Sequence, residues 1–356
     1  MTEPEIDYTA VFRALPGAVA LLTPQLVYLD ANEAFLRELG RTREQVIGRH
    51  LFDNVPDADA AIVRQVQASL HRVAETGESN TMPLERHGER YWSMTNIPIL
   101  ASDQRVALLL HRVEEATELI RAREVALSLQ EAMLPAARPI CRHPAAVRYR
   151  PAVGALHVCG DWYDLVDLPG SRIAVAVGDV VGHGLAAAGV MGQLRSALSA
   201  VSRVADGPAR ALEVLGLYAR SVEGAENTTV ATTSIDWDTR TITYSSAGHP
   251  PPALRRTDGA VDFLDQATDP PLAARPEHGS RIQATVPFTD GDVLVLYTDG
   301  LIERRGEDLD TGLTRLADSL SRHRSSDPET LADAILADLL PPDGITDDTA
   351  LVIVRL

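Results

Sequence analysis

The stretch Ile173 to Gly184, IAVAVGDVVGHG, constrains this chain more than any other. Its first half is an unbroken run of small and β-branched apolar residues, the pattern of a strand buried in a core. The run ends in one carboxylate, Asp179, and the glycines that follow let the backbone turn sharply and approach a neighbour closely. An ionised aspartate beside a buried strand is costly unless it is paired or metal-bound, and no arginine stands within five positions of it on either side. Three further carboxylates occupy comparable places: Asp161 in CGDWYD, Asp299 in VLVLYTDG and Asp347 in GITDDTALVIVRL. Acids distant in sequence and gathered by a fold are what a hard divalent cation requires. Four carboxylates with backbone oxygens and waters would supply the about six oxygen ligands of one Mg2+ or Mn2+, or be shared between two ions. Taken singly, Asp299 also reads as an Asp-Gly turn, and the adjacent Asp347 and Asp348 as charge guarding a strand edge.

At 356 residues the chain is too long for one ordinary domain, and two or three are expected. A hydrophobic fraction of 45% with a mean hydropathy of −0.05 indicates globular domains. The two cysteines, Cys141 and Cys159, imply no disulfide framework, and Met1 to Tyr8 is acidic rather than basic and apolar, so a secretory leader is not expected and the cytoplasm is. No apolar run approaches the roughly twenty residues that span a bilayer. The formal net charge of −17 argues against nucleic acid as a partner. Every basic side chain apart from histidine is arginine, which removes a lysine nucleophile or Schiff base from consideration.

Three segments follow in order: residues 1–113, 114–139 and 140–356. In the first, VALLTPQLVYLDA gives two short strands, and Asp30 or Asn32 can cap a helix that begins near Glu33. GRTREQVIGRHLFDNV reads as a turn, a short helix and a glycine break. HRVAETGESNTMPLERHGERYWSMTNIPIL and QRVALLLHRV alternate apolar with polar residues, as half-exposed antiparallel strands do. The second, EEATELIRAREVALSLQEAML, has near-helical apolar spacing and ends at Pro135 and Pro139. It suits a connector helix, either in a two-stranded coiled coil or packed on the next domain. In the third, strand-like runs (AAVRYRPA, DWYDLVDL, SRIAVAVGDV, TTVATTSIDW, TITYSSAG, RIQATVPF, DVLVLYTDG, TALVIVRL) alternate with helical ones (GLAAAGVMGQLRSALSAVSRV, GPARALEVLGLYARSV, LTRLADSLSRHR, ETLADAILADLL). That inventory predicts an α+β domain, two largely antiparallel sheets with helices outside.

LDANEAFLRELGRTREQVIGRHLFD resembles the front half of a PAS domain, which implies a small sensor built on an antiparallel sheet. No flavin-cysteine motif is present, and His50, His71, His87 and His111 stand in polar contexts, the pattern of surface histidines rather than haem ligands. The ligand of this domain is therefore unknown, and a cofactor-free domain is the expectation.

For the acids, two metals roughly 3.5–4 Å apart can hold a bridging hydroxide and orient a phosphoryl group, which makes phosphate ester hydrolysis the leading chemistry. A serine nucleophile is the rival: Ser245 and Ser246 precede Ala247-Gly248-His249, though no GxSxG elbow exists. His249 is a candidate base, and His183 a candidate to support a metal ligand.

CGDWYD, VAVGDVVGHG, GVMGQLRSAL, YSSAGHPPP, LYTDGLIERR and TDDTALVIVR occur in the order and spacing of bacterial PPM-type serine/threonine protein phosphatases, the branch related to sporulation stage II protein E. The resemblance implies an α-β-β-α sandwich. It also implies two Mn2+ or Mg2+ ions that activate water against phosphoserine or phosphothreonine without a covalent intermediate. Carried over by position, Asp161 and Asp179 would be the central, catalytic ligands. Val180 would offer its carbonyl, Asp299 and Asp347 would complete the metal sites, and Asp164 and Asp348 match the motifs too. Cys159 departs from the family's usual glycine, and no arginine stands just before Asp161 to hold phosphate. The resemblance further implies a regulatory protein, an anti-sigma-factor antagonist, as substrate. It implies a helix bearing Met191, Gly192 and Gln193 as the element through which a sensor controls the site, and a homodimer through the PAS domain and connector. A catalytically idle scaffold and a ligand sensor are the competing readings.

Overall fold

The computed structural model describes residues 7–54, 60–135, 143–150, 160–274, 279–304, 306–323, 327–340 and 347–356. Cys141, Cys159 and Pro139 lie outside the described residues, as does the end of the strand-like run AAVRYRPA. The chain divides into two compact units, residues 1–121 and 122–356.

The first unit contains α1 (Tyr8–Ala14), β1 (Ala18–Leu22), β2 (Tyr28–Ala31), α2 (Glu33–Leu39), α3 (Arg43–Val46), α4 (Ala60–Thr76), β3 (Asn80–Thr81), β4 (Glu85–His87), β5 (Arg90–Leu100) and β6 (Val106–Glu115). Its sheet runs β2-β1-β6-β5-β3, with β4 also on β5 and every pairing antiparallel. Asn32 caps α2: its Oδ1 accepts the Phe35 and Val19 N–H groups at 2.9 and 3.1 Å, and its amide donates to Leu15 and Gly17 carbonyls. One fully buried side chain thus ties helix, strand and the preceding loop together. HRVAET is not a strand but the last turns of α4, because Val66, Ser69, Leu70 and Val73 recur at helical spacing and bury one face.

Strand β6 continues through Glu115, and α5 begins at Thr117 and ends at Met133 (Thr117–Met133).

The second unit contains β7 (Ala145–Arg150), β8 (Trp162–Leu168), β9 (Arg172–Asp179), α6 (Leu185–Ser202), α7 (Pro208–Ala219), β10 (Thr229–Asp236), β11 (Thr241–Ala247), β12 (Ala253–Arg255), β13 (Val261–Phe263), β14 (Thr268–Asp269), β15 (Ala284–Pro287), β16 (Val293–Tyr297), α8 (Leu309–Arg322), α9 (Pro328–Leu339) and β17 (Thr349–Arg355). One sheet runs β14-β11-β10-β9-β8, with β15 also on β11; the other runs β13-β12-β16-β17-β7. Between them pack Ile173, Val175, Val177, Ile235, Leu294, Leu296 and Val352. Outside the first sheet, Trp162 and Ala176 meet Met191, Leu194 and Leu212 of α6 and α7. Outside the second, Val295, Leu351 and Ile353 meet Leu316, Leu320, Leu331 and Ile335 of α8 and α9. The α-β-β-α sandwich therefore explains the unbroken apolar run of β9: both of its faces are covered.

Candidate metal centre

Four strand ends carry the acids. Asp161 precedes β8, Asp179 closes β9, Asp299 follows β16 by two residues, and Asp347 and Asp348 lead into β17. Antiparallel pairing of Trp162 with Gly178 places Asp161 across from Asp179, and Thr229 of β10 lies opposite Asp179 on the other side. Carboxylate oxygens of Asp161, Asp179 and Asp299 come within 4.8 Å of one another. Two glycines make this approach possible. A Cβ on Gly160 would overlap the Val180 carbonyl oxygen, and one on Gly300 would overlap that of Asp348. The turns bearing Asp161 and Asp299 can therefore lie directly on the backbone that follows Asp179 and precedes β17.

The electrostatics of the cluster are those of charges pressed together. Burial, then the Asp179 charge, raises the Asp161 carboxyl well above the usual range, against a hydrogen bond from Thr298. Asp179 is raised by burial and by Asp347 and Asp348, against its hydrogen bond with Asp161. Asp299 is pushed up to about 7 by burial, Asp179, Asp347 and Glu303. Asp161 Oδ2 is buried with no hydrogen-bond partner among the described residues. A buried, unpartnered carboxylate oxygen within a group of hard oxygen donors suits a divalent cation, which would convert mutual repulsion into ligation. The residues present fit Mg2+ or Mn2+.

Asp347 stands apart from that group of three: it is exposed, and its Oδ1 accepts the Asp348 N–H at 2.8 Å. Asp348 is buried. Asp164, three residues after Asp161, faces the other way. Its Oδ1 lies 3.4 Å from Arg195 Nη1 of α6, so it anchors that helix rather than joining the cluster. His183 is exposed in the loop before α6.

Ser245 Oγ donates to Ile282 O at 2.7 Å and Ser246 Oγ to His249 O at 2.9 Å, so both hydroxyls are engaged in buried structure. His249 is no base either. Its Nε2–H donates to Tyr297 O at 2.9 Å, which leaves Nδ1 to accept from the Thr229 hydroxyl at 2.7 Å. Burial holds this imidazole neutral, with its pKa lowered to about 4. Thr229 sits opposite Asp179, and Tyr297 is two residues before Asp299, so His249 bridges the two sheets next to two of the clustered acids. Thr298 is a contributor that sequence reasoning missed. Fully buried, it bonds Asp161 and accepts the Ala350 N–H at 2.8 Å; its place directly before Asp299 was the available signal.

A helix-flanked double sheet with acids converging at its strand ends is the PPM-type phosphatase fold, here accompanied by a PAS unit. Residues 169–356 match the family described as Stage II sporulation protein E (SpoIIE), and residues 12–121 match the PAS fold. The chain belongs to the SpoIIE family. It is 27% identical over 185 residues to phosphoserine phosphatase RsbP of Bacillus subtilis, covering 51% of this chain and 44% of RsbP. To phosphoserine phosphatase RsbU of the same organism it is 25% identical over 207 residues, covering 57% of this chain and 61% of RsbU. The match therefore spans less than two thirds of either relative. The crystal structure of the RsbU and RsbW domains of Rv1364c from Mycobacterium tuberculosis is similar with a TM-score of 0.55 at 32% identity, over 60% of each chain.

Proposed function

We propose that this chain is a divalent-metal-dependent protein serine/threonine phosphatase governed by its PAS unit. The observation that carries the reading is the convergence of Asp161, Asp179 and Asp299, in which the buried Asp161 Oδ2 has no hydrogen-bond partner among the described residues. These three, with the Val180 carbonyl and Asp347, would hold two Mn2+ or Mg2+ ions. Such ions supply Lewis acidity and a water nucleophile at neutral pH. The chain itself positions and excludes. Thr298 orients Asp161, His249 braces the strand ends that carry Asp179 and Asp299, and burial keeps bulk water from Asp161. With Ser245 and Ser246 engaged by carbonyls, direct attack by water is favoured over a covalent serine intermediate.

The substrate class is phosphoserine or phosphothreonine on a regulatory protein, an anti-sigma-factor antagonist. This rests on membership of the SpoIIE family and on the similarity to RsbP and RsbU, both named phosphoserine phosphatases. The working division is sensor 1–113, connector 114–139 and phosphatase 140–356, in a cytoplasmic homodimer formed through the first two. Supporting a regulated helix, Met133 at the end of α5 packs on Gly192 of α6, and the Tyr163 hydroxyl donates to Pro135 O at 3.1 Å. The test is hydrolysis of p-nitrophenyl phosphate and of a phosphoserine peptide with Mn2+, with Mg2+ and with chelator. Turnover that requires metal and disappears in Asp179→Asn is expected; turnover indifferent to both would refute the reading.

A further inference from the structure

We propose that the PAS unit binds a small, largely apolar ring compound bearing a hydroxyl or N–H group, which donates a hydrogen bond to His111 Nε2. A cavity of about 370 Å³ opens inside this unit, lined by Tyr28, Phe35, Trp92, Met94 and His111 among others, with the exposed Glu38 also on its wall. That volume lies in the range of small-molecule sites. His111 was expected at the surface from its polar sequence neighbours. It is instead 5% exposed, on the β6 face that packs towards the helices, with Phe35 edge-on at 6.1 Å between ring centroids.

The chemistry of the ligand follows from a chain of hydrogen bonds behind the imidazole. Ser69 Oγ donates to Asn80 Oδ1 at 2.7 Å, so that hydroxyl must accept from Asn96 Nδ2, also at 2.7 Å. This fixes the Asn96 amide with its oxygen towards His111 Nδ1, again at 2.7 Å. Nδ1 therefore carries the proton and donates. Burial holds the ring neutral, with its pKa lowered to about 4, so Nε2 presents a lone pair and no proton. Among the described residues His111 forms its one side-chain hydrogen bond through Nδ1 and none through Nε2, and the residue lines the cavity.

An acceptor on the wall of a cavity selects a donor: an O–H or N–H on the ligand satisfies it, and a molecule that displaces water but lacks one leaves it unpaired. The Tyr28 hydroxyl, kept protonated by burial, can donate or accept and does not discriminate. Carboxylate ligands are disfavoured twice, since neutral His111 offers them no proton at Nε2 and Glu38 would repel them. Aromatic walls favour a flat ring.

The experiment is calorimetric titration of the full chain with indole and with benzofuran, which share shape but differ in replacing N–H by oxygen. Indole is expected to bind one per chain, at least roughly tenfold more tightly than benzofuran. His111→Phe is expected to bring the two to equal affinity while circular dichroism remains unchanged. Should that variant fail to fold, the contrast on the unaltered chain decides alone. Equal affinities, or no binding of either compound, would overturn the proposal. So would uptake of haemin with a Soret shift lost in His111→Phe, which would make Nε2 a metal ligand instead.

Discussion

Replacing Asp299 by Asn should stabilise the second unit when metal is absent and disable it when metal is present. In the native fold the Asp299 carboxyl keeps its proton up to about 7, against 3.8 for an ordinary aspartate, chiefly because it is buried beside Asp179 and Asp347. The native state thus binds a proton that the unfolded chain has released, and stability falls as pH rises from near 4 to near 7. Fully counted, that difference amounts to about 4 kcal/mol by pH 8. Partial solvent access to Asp299 reduces it, and we expect about 2 kcal/mol to be recovered by the neutral amide. For a unit of this size that is a rise of roughly 4–8 °C in Tm. The assay is thermal unfolding at pH 8 with chelator, repeated with Mn2+. Wild type should gain more from Mn2+ than the variant, because binding stabilises only the state that holds the ion. A variant no more stable than wild type in chelator would refute the argument that these acids repel one another.

Other expectations follow from neighbouring contacts. His249 has a folded pKa of about 4 against 6.5 unfolded, so its contribution is complete above about 6.5 and lost as pH falls towards 4. That loss is about 3 kcal/mol, and subtracting the acid unfolding curve of His249→Gln from that of wild type should reveal it. Gly300→Ala drives a Cβ into the Asp348 carbonyl; it should cost about 1–3 kcal/mol in urea unfolding and raise the metal concentration needed for half-maximal turnover. Met133→Asp places a charge where α5 meets Gly192 of α6, and turnover at saturating metal should change by roughly an order of magnitude. Unchanged turnover would separate this contact from control of the site.

What the sequence revealed and what it hid divide along physical lines. Strand β9 was legible because both its faces are apolar, and the convergence of Asp161, Asp179 and Asp299 could be anticipated because each acid lies at the end or edge of a strand-like run. Direction was harder to read. Asp164 belongs to the same short motif as Asp161, CGDWYD, but it stands three residues on, inside β8, where its carboxylate meets Arg195, a residue more than thirty positions away. His111 looked polar because Arg112 and His111 share a strand whose faces differ, one wet and one lining a cavity. The end of α4 reads as a strand in isolation, since its short polar tail hides the helical spacing of Val66, Leu70 and Val73 upstream. His249 carried the least local signal: its partners, Thr229 and Tyr297, meet only when the two sheets are stacked.

The central claim is that three converging aspartates make this a metal-dependent phosphatase. It is tested most directly by following release of phosphate from a phosphoserine peptide, with metal-free protein titrated with Mn2+, for wild type and Asp179→Asn. We expect saturable, metal-dependent hydrolysis by wild type and at least a hundredfold loss in the variant, the scale on which removing a charged catalytic group acts. Equal rates in both proteins, or hydrolysis that persists in chelator, would contradict the account.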